Sequence, residues 1–220
     1  MPGQAQFEEE VGGQVFAKGY PLSTIMYQGK KVVLRPLKQP LYDTESYPNS
    51  SVTSRKWFSR AQGSADASGG ISSKSKSETN LTQTGQLSAP DTFSLFGFNV
   101  VIEYGTTLAD MRLILNTGAF VFTFTGSRVY LEIPVNRIPA GIKPEGPLAA
   151  DGATSAVVYT EVQNGSGHMS NVYPFNIRDR TLWIQPNENF GVEITYPSGI
   201  TVSAATRVQV FLIGMLYKAV

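Results

Sequence analysis

Residues 178–220 read RDRTLWIQPNENFGVEITYPSGITVSAATRVQVFLIGMLYKAV, and three apolar runs inside this stretch constrain the fold more than any other part of the chain. The runs span 182–185, 190–196 and 208–217. They are rich in β-branched and aromatic residues and are separated by Pro, Asn and Gly, the signature of consecutive strands. Phe190, Val192, Ile194 and Tyr196 alternate with Gly191, Glu193 and Thr195, which gives the middle strand one buried and one wetter face. Between Val208 and Leu216 only Gln209 and Gly214 break an apolar run, so this last strand is expected to be covered on both faces. Two layers of sheet follow.

Upstream, Phe96, Phe98, Val100, Ile102 and Tyr104 alternate with Gly97, Asn99, Val101 and Glu103, predicting a long strand with a strongly apolar face. Leu108, Met111, Ile114 and Leu115 then fall at helical spacing. Thr107 is placed to cap the helix, Asp110 stands in the capping-box position, and Gly118 lies beyond the end. Phe120, Phe122 and Phe124 precede a Gly126-Ser127 turn and the alternating Val129, Leu131 and Ile133, which predicts a hairpin. Residues 138–154 hold three prolines and read as a long connection, 155–162 as a strand, and 163–171 as a loop. About eight strands joined by loops of very uneven length favour Greek-key connections. The expected fold is all-β: an antiparallel β-sandwich, specifically a jelly roll, with one short helix.

The first 78 residues look different. Prolines at 21, 36, 40 and 48 recur through the opening segment, and because proline donates nothing to a ladder, only 30–35 is expected to form a short or edge strand. Residues 50–77 are dominated by Ser, Gly, Ala and Lys, a composition that buries too little to offset its ordering entropy. Residues 1–78 are therefore expected to be an extended N-terminal arm and a mobile loop, ordered by a neighbour if at all. Residues 79–220 are expected to form a sandwich domain that folds without them.

Composition excludes several chemistries. No cysteine is present, which removes disulfides, thiolate metal sites and thiol nucleophiles. The net charge of +1 gives no global attraction for nucleic acid or an anionic membrane, and the opening residues lack the basic-then-apolar pattern of a signal peptide. No P-loop, GxGxxG or GxSxG motif occurs. His168 is the single histidine and sits in a Gly/Ser/Asn loop, where a surface role is expected rather than metal binding. Three Asn-x-Ser/Thr sequences, at Asn49, Asn80 and Asn164, are expected to be chance matches. Neither cofactor nor metal is expected, and no enzymatic role. Glu132, Glu161 and Glu193 on strands would matter only to a hydrolase.

One local basic excess exists: Arg55, Lys56, Arg60, Lys74 and Lys76, with Trp57 and Phe58 beside the first pair. Cations next to an aromatic that can stack a base are a recipe for single-stranded nucleic-acid contact. Phe16, Tyr20, Ile25 and Tyr27, which the arm cannot bury by itself, together with Trp57, Phe58, Trp183 and Tyr196, are expected to contact neighbouring subunits.

The segments LTQTGQLSAP (81–90) leading into the Phe93 strand, TLWIQPNENFGVEITYP (181–197) and VFLIGMLYK (210–218) resemble the single jelly-roll capsid proteins of small tailless icosahedral bacteriophages. The likeness covers roughly residues 80–220. It implies a viral structural protein, the major capsid protein or a near equivalent, that self-associates into an icosahedral shell through sandwich edges and an N-terminal arm. The implied partners are copies of itself, other virion proteins and weakly the genome, with room for an internal membrane. The implied location is the virion, after a soluble stage in the host cytoplasm. The arm departs from many capsid arms in not being strongly basic. The competing expectation is a carbohydrate- or receptor-binding β-sandwich, such as a phage spike or lectin-like module.

Overall fold

The computed structural model describes residues 16–17, 20–21, 23–27, 29–103, 106–125, 128–138, 173–174 and 182–219. The strands are β1 (Phe16–Ala17), β2 (Tyr20–Pro21), β3 (Ser23–Tyr27), β4 (Lys30–Leu37), β5 (Leu41–Tyr47), β6 (Val52–Trp57), β7 (Thr92–Ile102), β8 (Ala119–Phe124), β9 (Arg128–Pro134), β10 (Tyr173–Pro174), β11 (Leu182–Ile184), β12 (Phe190–Ile200) and β13 (Thr206–Ala219). One helix, α1 (Leu108–Thr117), joins β7 to β8. A seven-stranded sheet runs β10–β7–β13–β4–β3, with β11 also on β7 and β5 also on β13. A four-stranded sheet runs β6–β12–β8–β9, and β1 pairs with β2 separately. The fold is thus an all-β sandwich of antiparallel sheets.

From β5 onward the pairing is nested. β5 pairs with β13, β6 with β12, β7 with β10 and β11, and β8 with β9. The chain therefore behaves as one long hairpin whose two arms are folded together across two layers. The core fills the space between, with Tyr47, Trp57, Phe93, Phe98, Phe120, Phe122, Ile194 and Val210 essentially out of water. Polar groups tie the layers as well. The Trp57 indole Nε1–H donates to the Val208 carbonyl oxygen at 2.9 Å, and the Tyr47 and Tyr196 hydroxyls meet at 2.8 Å.

Much of the local pattern survives intact. On β12, Phe190, Val192, Ile194 and Tyr196 are buried and the intervening residues are not, and β8 pairs with β9 as expected. The Thr107 hydroxyl accepts from the Asp110 N–H, as a helix N-cap should. The Asp110 carboxylate meanwhile accepts from Ser203 N (2.9 Å) and Ser203 Oγ (2.5 Å), pinning α1 to the β12–β13 turn. Gly118 ends the helix for a packing reason: at φ −89° it is not left-handed, but a Cβ there would sit 2.8 Å from Tyr196 Cε1 and 2.9 Å from Ile194 Cγ2.

Several expectations are corrected. On β7, Phe96 is 42% exposed while Phe93 and Leu95 are buried with Phe98, Val100 and Ile102. A bulge is the cause: Ile213 faces Gly97 but Gly214 faces Leu95, so Phe96 is the extra residue and the alternation changes phase across it. On β13, one face is buried and the other, carrying Phe211, Ile213, Met215 and Tyr217, is only half-covered. The proline-rich opening is also not merely an arm. β4 and β5 pair with β13 in one continuous register, Leu37 opposite Leu216 and Leu41 opposite Leu212, with Pro40 in the unpaired gap between them.

Residues 50–77 are likewise ordered by their own chain. β6 lies on β12, Trp57 and Phe58 are buried, and the following segment folds back on itself through Gly63 N–H to Lys74 O (2.9 Å) and Lys74 N–H to Ser64 O (2.8 Å). That segment runs along the free edge of β5. Asn80 N–H donates to Tyr42 O, Tyr42 N–H to Asn80 Oδ1, and Ser46 N–H to Asp66 Oδ2. Composition misled because hydrogen bonds to a strand edge, rather than apolar burial, order this segment. Strands on both sides of residue 78 share one core, so the proposed division into 1–78 and 79–220 cuts through it. The expected connection after Ile138, the strand at 155–162 and the loop holding His168 lie outside the described residues.

The bulge gives a direct check. A Cβ on Gly214 would fall 2.0 Å from Ser94 O and 2.5 Å from Phe93 Cζ, and the backbone oxygen has nowhere to go. Gly214→Ala is expected to destabilise the fold by about 1–3 kcal/mol, the usual range for overpacking, measured as a lower urea midpoint at unchanged slope.

Candidate functional site

β5 carries Leu41, Asp43, Glu45 and Tyr47 on one face, opposite Leu212, Val210, Val208 and Thr206 of β13, so two carboxylates point between the layers. Lys74 meets them there. Its Nζ lies 2.7 Å from Asp43 Oδ1 and 2.7 Å from Glu45 Oε1, with all three side chains 0% exposed. Asp43 Oδ2 accepts from Phe58 N–H at 2.6 Å, and Glu45 Oε2 from Ala67 N–H at 3.0 Å. Two carboxylates and one ammonium would leave a buried net negative charge. Burial accordingly pushes the Asp43 carboxyl up to about 6, against the pull of the Lys74 charge and the Lys74 and Phe58 hydrogen bonds.

A third buried carboxylate, Asp66, shapes the same loop. Asp66 accepts from Ser46 N–H (3.0 Å), the Ser46 hydroxyl, Ile71 N–H (3.1 Å) and Ser68 Oγ (3.0 Å). Burial by itself would raise its pKa, but these donors outweigh it and hold the group below its ordinary 3.8.

On the solvent side of this flank is a cleft of about 520 Å³ lined by Ser54, Arg55 and Lys56 of β6, Ser59, Arg60, Ser64 and Ala67 of the following segment, and Thr84. The Arg55 guanidinium lies over the Tyr47 ring at 5.9 Å, and its Nε is buried without a hydrogen-bond partner. Lys56 Nζ is 3.6 Å from a Glu193 carboxylate, an exposed pair of little energetic weight. Three cations and four hydroxyls around one opening can take an anion such as a phosphate.

The residues singled out from sequence therefore divide. Arg55, Lys56 and Arg60 come together on the cleft. Lys74 does not: it is committed to the buried triad and unavailable to nucleic acid. Lys76 is exposed away from the cleft lining, its carbonyl accepting from the Tyr42 hydroxyl. Trp57 and Phe58 offer no stacking platform, because both face inward, Phe58 against Phe190 at 5.5 Å. Tyr196 is buried too, so among those subunit-contact aromatics whose side chains are described only Trp183 is half-exposed, 5.1 Å from the Tyr217 ring. The side chains of Phe16, Tyr20, Ile25 and Tyr27 lie outside the described residues. Glu132 and Glu193 share one row of the four-stranded sheet, with Val121 between them on β8, and neither lines the cleft beside β6. Among the described residues there is no group of acidic or histidine side chains arranged to hold a metal, and no helix long and apolar enough to cross a membrane.

Sequence reasoning missed the triad. The alternation of Leu41, Asp43, Glu45 and Tyr47 was its only signal: acids in phase with core residues need a buried partner. No protein-family model, curated protein or solved structure matches the chain.

Two outcomes are expected. Asp66→Asn should lower stability at neutral pH by roughly 1–3 kcal/mol, since a charged acceptor of several hydrogen bonds is lost. Because the folded-state value is depressed, the wild-type advantage is present above the ordinary carboxyl value and shrinks as pH falls through the folded one, which urea titrations across the acid range will read. In the cleft, Lys56→Glu with Arg60→Glu should weaken binding of a single-stranded oligonucleotide and flatten its dependence on salt, by about one counterion per lost phosphate contact. Unchanged binding would remove the cleft as an anion site.

Proposed function

We propose that this chain is the tile of a self-assembling icosahedral shell, the major capsid protein of a small tailless bacteriophage or a near equivalent, with its sandwich built as a jelly roll. The observation that carries the reading is the nested pairing. First strand with last, second with second-last, and so inward from β5·β13 to β8·β9, is how one long hairpin rolls into two four-stranded layers, β5–β13–β7–β10 against β6–β12–β8–β9. Shell tiles use this form because all loops gather at the ends and the strand edges stay short.

A second feature supports self-association. Tyr42, Phe211, Ile213, Met215, Tyr217 and Trp183 line the half-covered outer face of the β13 sheet in adjoining rows. Contiguous apolar surface of this kind marks association sites more often than chance. The proposed occupant is another copy of the chain, and the basic cleft is the surface offered to the genome.

Purified full-length protein is expected to form large, concentration-dependent particles in light scattering and negative-stain micrographs. Phe211→Glu with Met215→Lys should suppress them while leaving the thermal unfolding of the protomer nearly unchanged. A monodisperse monomer at every salt and protein concentration would sink the proposal.

A further inference from the structure

The buried triad has the composition and geometry of a condensation site. A primary amine lies 2.7 Å from each of two carboxyl groups, with all three side chains 0% exposed. On β5 they are flanked by Leu41 and Tyr47, and across the ladder by Val208 and Val210. In water, an amine and an acid do not condense, because ionising to ammonium and carboxylate is far more favourable than forming an amide. Removing the solvent that stabilises those ions reverses the preference. Holding the two groups in contact supplies the high effective concentration that the bimolecular reaction lacks.

We propose that Lys74 and Asp43 are joined by an intramolecular isopeptide bond, from Lys74 Nζ to Asp43 Cγ, formed after folding with Glu45 as the proton relay. Asp43 begins as the protonated acid, and Lys74 and Glu45 as an ion pair. Glu45 takes a proton from the ammonium, freeing the nitrogen lone pair. The amine attacks Cγ while Glu45 returns the proton to a carboxyl oxygen of Asp43. Glu45 then removes a proton from the nitrogen and delivers it to Oδ1, the oxygen beside Nζ, which leaves as water. The remaining hydroxyl proton of the collapsing intermediate passes to Glu45. One C–N bond forms, one C–O bond breaks, one water is released, and Glu45 ends protonated. The site is neutral before and after, and no oxidant, reductant or cofactor enters.

The two other hydrogen bonds fit these roles. Phe58 N–H, 2.6 Å from Asp43 Oδ2, holds the oxygen that stays and polarises the carbonyl as charge builds on it. Ala67 N–H, 3.0 Å from Glu45 Oε2, fixes the relay so that Oε1 faces the amine. Asp43 is also the carboxyl that burial keeps protonated into the mildly acidic range, as an electrophile here must be. The bond would close residues 43–74 into a covalent ring, locking the segment that seals the flank between β5 and β6 to the strand it covers. The inference stands apart from the shell reading, since it concerns one protomer and needs no assembly.

The test is intact mass under denaturing conditions on the folded full-length protein. The expected result is a mass lower by one water than the sequence requires. Trypsin should no longer cut after Lys74, so that peptide 61–76 is recovered covalently joined to peptide 39–55, with fragment ions placing the branch at Asp43. Lys74→Arg keeps the cation but removes the nucleophile, and Glu45→Gln keeps both reacting groups but removes the relay. Both variants are expected at full mass, with circular dichroism confirming that they fold. A full wild-type mass after prolonged incubation of folded protein overturns the proposal. So does a water loss that persists in Lys74→Arg, which would mark a succinimide, or a branch found at Glu45.

Discussion

Lys74 sits between Asp43 and Glu45 with all three side chains withdrawn from water, and the closure of one flank of the sandwich depends on that contact. Desolvating an ion group of this kind costs several kcal/mol per charge, and removing one partner from such a group typically costs about 3–5 kcal/mol because the others are left uncompensated. The segment carrying Lys74 is otherwise Ser- and Gly-rich and has little apolar surface to hold it down. Its position is set by where a buried cation is needed and by where the free edge of β5 offers N–H and C=O groups. Tyr42, Thr44 and Ser46 take hydrogen bonds from, or give them to, this segment, so an edge open to pairing with other chains is covered from within.

The same economy of polar contacts appears across the core. Trp57 and the Tyr47–Tyr196 pair each place a hydrogen bond between the two layers, in a region otherwise filled by Phe, Val, Leu and Ile. Burial pushes the Tyr47 hydroxyl well above its ordinary pKa, so both tyrosines stay neutral there and can exchange a hydrogen bond. Such directional contacts fix how one layer sits over the other, which apolar packing by itself leaves adjustable. Asp110 does the equivalent at the end of the sandwich, linking the first turn of α1 to Ser203.

These ties also separate the chain's inner and outer surfaces. Trp57 and Phe58 turn inward, so the cleft carrying Arg55, Lys56 and Arg60 has no aromatic in its lining for a base to stack on, which suits contact with a phosphate better than with a base. The outer face of β13 keeps its apolar row half-exposed. The basic cleft beside β6 and the apolar row on β13 thus lie on different sheets of the sandwich.

The local patterns were readable in the sequence because their causes are local. Period-two alternation set β12, the β8–β9 pair and one face of β13, and a threonine three residues before an aspartate marked the start of α1. Of the candidate site, the cluster of Arg55, Lys56 and Arg60 was legible because the three are close in the chain. Everything that depended on a partner far away in sequence was decided by the tertiary structure. Pro36 and Pro40 argued against strands that β13 nonetheless pairs in register. A single bulged residue at Phe96 shifted the phase of β7, and Lys74 turned from a candidate nucleic-acid contact into the centre of the buried triad. Alternation and capping are encoded within a few residues, whereas a strand edge, a bulge and a buried charge acquire their meaning only from the groups that the fold brings against them.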